Sequence, residues 1–114
     1  MWDDFKGHFE KFSFTDPDQS NEKRHPIQSK KPITICYQKA KKWVEGRKDI
    51  EGLIISEDFH EIFFKDQKCE ITIIFLELPS GGTLISSHVA SNAINKSRKT
   101  LYNVLENVRK VVEN

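Results

Sequence analysis

The sequence predicts an α+β domain built on a four-stranded antiparallel meander over about residues 50–89. A helix at 32–45 precedes the meander, a long C-terminal helix at 92–112 follows it, and a short aromatic helix stands at the N-terminus. Three observations predict this class. Apolar residues recur at helical spacing from Ile33 to Val44 and from Ile94 to Val112, and between these segments the period changes to two.

Taken in order, Trp2, Phe5, Phe9 and Phe12 fall at 0, +3, +7 and +10, which places four aromatics along one side of a helix over residues 1–12. Asp3 and Asp4 in its first turn suit the positive end of a helix dipole. "SFTDPDQSNEKRHPIQS" follows, with two prolines, no periodicity and little to bury, so residues 13–31 read as a mobile linker. The remaining residues, 32–114, read as a single α+β domain.

"KKPITICYQKAKKWVEGRK" starts with strand formers, but its spacing is helical. Ile33, Cys36, Tyr37, Ala40, Trp43 and Val44 lie on one face. Pro32 suits a first helical position and Gly46 a stop. The strands follow as "IEGLIISE", "HEIFFKD", "KCEITIIFLEL" and "TLISSHV", joined by short polar or glycine-containing connections. Short connections between neighbours imply antiparallel pairing. Ser91 is positioned to cap the last helix.

The third strand does not alternate. Ile71, Ile73 and Phe75 point to one face, and Ile74, Leu76 and Leu78 to the other. A sheet with one wet face alternates apolar and polar residues, so this strand is expected at the centre with both faces covered. Two long helices cover one face. The aromatic N-terminal helix, a second copy or another protein would cover the other.

At 114 residues the chain has the length of one domain and enough material for one core. No apolar run approaches the roughly 18 residues of a membrane helix, and "MWDDFKGHFEKF" lacks the basic start and apolar block of a secretory signal. Cys36 and Cys69 are too few for a disulfide framework, so reduced thiols and a cytoplasmic location are expected, with a single bridge as the alternative.

Net charge is +1, but it is segregated. Residues 23–48 hold nine basic side chains and one acidic; residues 49–78 hold two basic and eight acidic. Lys39, Lys41, Lys42 and Arg47 could neutralise phosphates, which makes a small nucleic-acid-binding protein the alternative function. Against it, the chain is near neutral, and Tyr37 and Trp43 sit on the buried helix side rather than as stacking platforms.

No motif fixes a chemistry. "PSGGT" lacks the Lys-Ser/Thr ending of a phosphate loop and leads into a strand, which fits a hairpin turn. His8, His25, His60 and His88 are scattered, and His60 with His88, Glu61 or Cys69 would need the fold to form a metal site. Cys36 and Cys69 read as small core residues. The expectation is a non-catalytic protein-interaction domain with no cofactor, self-associating as a homodimer or binding another protein. Trp2, Phe5, Phe9 and Phe12 would be its anchors, beside the uncovered sheet face.

Overall fold

The computed structural model describes residues 12–15, 25–91 and 96–114. Among these the chain forms β1 (Phe12–Phe14), β2 (Ile27–Ser29), α1 (Ile33–Glu45) and β3 (Ile50–Ser56). It continues with β4 (Glu61–Asp66), β5 (Cys69–Glu77), β6 (Thr83–Ser91) and α2 (Lys96–Glu113). The class is α+β, as the two periodicities require. The four-stranded meander β3–β6 is present, but the sheet is wider than four strands.

β3, β4, β5 and β6 pair antiparallel in chain order, and β1 and β2 both pair with the outer side of β6. The two short strands share that outer position. β1 lies against His88–Ala90 and β2 against Thr83–Ile85. The sheet is therefore five positions wide, with β5 at its centre, as its apolar sequence implies.

This corrects the N-terminal reading. Phe12 opens a strand rather than closing a helix, and two stretches of the expected linker are strands. The cause is the edge of β6. Its outward backbone groups would otherwise lack partners, and Thr15 extends the pairing by donating its N–H to the Ser87 carbonyl (2.9 Å). Trp2, Phe5 and Phe9, with the rest of the expected aromatic helix, lie outside the described residues.

α1 begins one residue later than expected. Pro32 is the N-cap, in extended conformation at φ −61° and ψ 154°, and its carbonyl accepts from the N–H of Ile35 and of Cys36. Proline can do this because it supplies an acceptor there and needs no donor. Gly46 ends the helix as its sequence implies. Cys36, Tyr37, Ala40 and Val44 are fully buried, with Ile33 and Trp43 packed at the margin. Ser91, expected as a helix cap, is instead the last residue of β6, opposite Cys69. α2 is helical from Lys96.

Both helices lie on one face of the sheet, α1 over β5 and α2 over β6 and β1, and they touch each other. Ile62, Phe64, Ile71, Ile73, Phe75 and Val89 face them and are buried. Neither Cys36 nor Cys69 is in a disulfide; both thiols are buried. No helix among the described residues is long and apolar enough to cross a membrane.

Candidate interaction surface

Strand register decides what the other face carries. Because side chains alternate, the neighbours of the buried residues point away from the helices. One row crosses the sheet as His88, Thr72, Phe63 and Ile54, and the next as Ala90, Glu70, Lys65 and Glu51. On the other side lie Ser86, Ile74, Glu61 and Ser56, then Leu84 and Leu76. Neither helix covers this face. The expectation that β5 is covered on both sides is therefore met on one side only by the described residues.

The uncovered face is mixed, with apolar residues concentrated at two places. Leu76 is 52 % exposed, with Ile74 and Leu84 half-buried beside it. Ile54 is 62 % exposed on β3, next to the half-buried ring of Phe63. Leu53 is also exposed, and Phe59, in the turn after β3, is 72 % exposed. Beyond the Ile54–Phe63 row, on the side away from Leu76, Glu70, Lys65 and Glu51 alternate in sign across three neighbouring strands, which suits cross-strand attraction. A hollow of about 300 Å³ opens beside β1, with Phe63, Glu70, Thr72, His88 and Ala90 in its lining.

Among the described residues β3 is also an unpaired edge, and its orientation follows from two hydrogen bonds. Phe75 N–H donates to the His60 carbonyl (3.0 Å), so His60 and Phe75 form a hydrogen-bonded pair. Alternation along the ladder then turns the backbone of Ile62, Phe64 and Asp66 to β5, and that of Glu61 and Phe63 to β3. Ile54 and Ser56 answer those groups, leaving the N–H and C=O of Ile55 directed outward. At the far side of the sheet the same alternation turns Ser87 to β1, as its bond from Thr15 requires. Upstream, Gly52 at φ +60° lies in a register shift between Glu51 and Ile54, the geometry of a glycine bulge.

The basic helix is largely occupied within the chain. Lys41 Nζ binds the Glu57 carboxylate (2.6 Å), and this hydrogen bond holds Glu57 below the usual carboxylate range. Lys39 Nζ donates to the Asn114 carbonyl, and Lys31 Nζ to that of Val112 (2.7 Å). These ammonium groups meet the unsatisfied carbonyl end of α2, where positive charge is favoured. Arg47 bridges Asp49 (3.1 Å) and Asp66 (2.6 Å), with its guanidinium 5.5 Å from the Trp43 ring centre. Of the four candidate phosphate contacts, Lys42 alone is exposed with no partner among the described residues.

The remaining candidates separate in space. His60 stands at the β3–β4 turn with its ring edge-on to Tyr37 (5.1 Å between centroids), whereas His88 lies on the uncovered face of β6. Among the described residues no cluster of three or more His, Cys, Asp or Glu has metal-binding geometry. Cys36 Sγ contacts the Lys31 carbonyl and Cys69 Sγ the Thr100 hydroxyl, both inside the protein. "PSGGT" is the β5–β6 hairpin loop, with Gly81 at φ +91°.

Comparison of the chain with protein-family models, curated proteins and solved structures returns no match. Sequence reasoning singled out the uncovered side of β5 but missed the edge of β3. Its signal was present in "GLIIS", an apolar run without lysine or proline, the residues that usually protect an edge.

Proposed function

We propose that this chain is a non-catalytic protein-interaction domain that binds another protein or itself through the uncovered sheet face. Trp2, Phe5, Phe9 and Phe12 are further anchors that its sequence offers. The observation that carries the reading is the exposure of Ile54 and Leu76 on a face that neither helix covers. Large apolar side chains exposed on one face of a sheet, with charge beside them, favour burial against a partner. Thr72, Ser86 and Ala90 on the same face are small, so another surface can approach closely there. The basic helix supports the nucleic-acid alternative less well, since Lys39, Lys41 and Arg47 already bind oxygen atoms of the chain.

The test is Leu76→Lys in the full chain. Leu76 is exposed, so the variant retains the circular dichroism and melting temperature of the wild type. Association, read by light scattering for self-binding and by retention of co-purifying protein for other partners, is lost. Unchanged association in Leu76→Lys and in Phe5→Ala with Phe9→Ala would remove both proposed contact regions and sink the reading.

A further inference from the structure

We propose that the partner at the β3 edge is a second copy of this chain, paired antiparallel through β3 about a two-fold axis at Ile55. This rests on the reading of the domain as an interaction module and names one partner for it. Ile55 directs its N–H and C=O away from β4, so two copies can exchange both hydrogen bonds between their Ile55 residues. The bulge limits the register. It disturbs the strand at Gly52 and Leu53, which leaves Ile54–Ser56 as the regular stretch, and that stretch is symmetric about Ile55.

Side-chain chemistry fits this register. On the helix side, the half-buried Ile55 packs against the core and lies opposite Ile62. Pairing would continue that row as Ile62, Ile55, then Ile55 and Ile62 of the second copy, closing an apolar layer across the junction. On the uncovered side, Ile54 would stand opposite Ser56 of the second copy and diagonal to its Ile54, so the two exposed isoleucines share one patch. Charges are compatible as well. The regular stretch Ile54–Ser56 carries no ionisable side chain, so pairing it with its equivalent brings no like charges face to face.

The register gives a covalent test. Positions 54 and 56 of the second copy would form a non-hydrogen-bonded pair, with Cα atoms about 4.5 Å apart, inside the range a disulfide spans. The full chain carrying Ile54→Cys and Ser56→Cys is oxidised and run without reductant. The expected result is a disulfide-linked dimer reversed by reductant, with none from wild type, whose thiols are buried, and none from Thr72→Cys on the same face. In parallel, light scattering of the unmodified chain reads twice the monomer mass, and Ile54→Lys returns it to the monomer.

Absence of the link, or a monomer at every concentration, overturns the proposal. A dimer that links through Leu76→Cys instead also overturns it, while supporting face-to-face association. A monomer that still loses a co-purifying protein on Leu76→Lys separates failure of this pairing from failure of the interaction reading.

Discussion

Ser13 and Ser97 share a buried hydrogen bond, Oγ to Oγ at 2.9 Å, which ties β1 to α2 across 84 positions of sequence. Both residues are fully buried. Each hydroxyl therefore depends on the other for part of its bonding, because water cannot replace the lost partner. Ser13→Ala and Ser97→Ala are each expected to destabilise the fold by about 1 kcal/mol, a typical value for such a bond. The double variant should cost less than the two single losses together, since the second removes a group already missing its partner. A double-mutant cycle by urea denaturation checks this, and strict additivity would contradict it.

Gly81 and Gly82 adjoin in one loop yet are required for different reasons. A Cβ on Gly82 would run into the Ser29 carbonyl, a backbone atom with no freedom to turn aside. A Cβ on Gly81 meets nothing, but its φ of +91° is unfavourable for an L side chain. Gly81→Ala should cost about 1–2 kcal/mol from backbone strain alone. Gly82→Ala should cost more and should release β2, because the collision is relieved by moving Ser29 away from Thr83. Hydrogen exchange at Ile27–Ser29 distinguishes the two variants, rising in Gly82→Ala and little in Gly81→Ala.

These contacts also mark where the sequence was legible. β3 to β6 could be read because each is a short run rich in strand-forming residues between turn signals, and each finds its neighbour after a short turn. β1 and β2 could not. Each is three residues long, and the partner of Ser13 is Val89, so no local pattern announces the pairing. The helical face of α1 was legible to the residue, including the placement of Lys39, Lys41 and Lys42 away from the core. Their partners were not, because Glu57 and Asn114 are brought to them by strand register and by the end of α2. The apolar sequence of β5 is equally consistent with a covered and an uncovered face, and only the placement of the helices shows which side they occupy among the described residues.

Arg47 links α1 to the sheet through two carboxylates of unequal weight. Asp49 is largely exposed and water weakens its attraction, whereas the Asp66 side chain is 17 % exposed and its contact is short. The guanidinium also lies near the Phe64 and Trp43 rings. Arg47→Ala is expected to cost about 2 kcal/mol, mostly from stranding Asp66 in a half-buried site. Asp49→Asn should leave stability nearly unchanged, because water already screens this exposed carboxylate. Combining Arg47→Ala with Asp66→Asn should recover part of the loss, since the second change removes the stranded charge. Denaturant midpoints of the four proteins decide this; no recovery would place Arg47's contribution in its ring contacts.

Tyr37 couples the same helix to pH. Its ring is buried against Phe75 and His60, and its hydroxyl has no hydrogen-bond partner among the described residues. Burial, and then the nearby Glu57 carboxylate, push its pKa from 10.0 up to about 12. The sign follows from proton binding. Above about pH 10 the unfolded chain releases the phenolic proton while the folded chain keeps it, so stability falls as pH rises toward about 12. Below pH 10 both states are protonated, and the contribution does not change with pH. Tyr37→Phe keeps the ring and removes the unpaired hydroxyl, so at neutral pH it should be neutral or stabilising by up to about 1 kcal/mol. In alkali it should lose stability less steeply than the wild type. Chemical denaturation of both proteins from neutral pH to about pH 11 tests both parts. A clear loss at neutral pH would mean that the hydroxyl is bonded, with Glu57 as the acceptor to examine through Glu57→Gln.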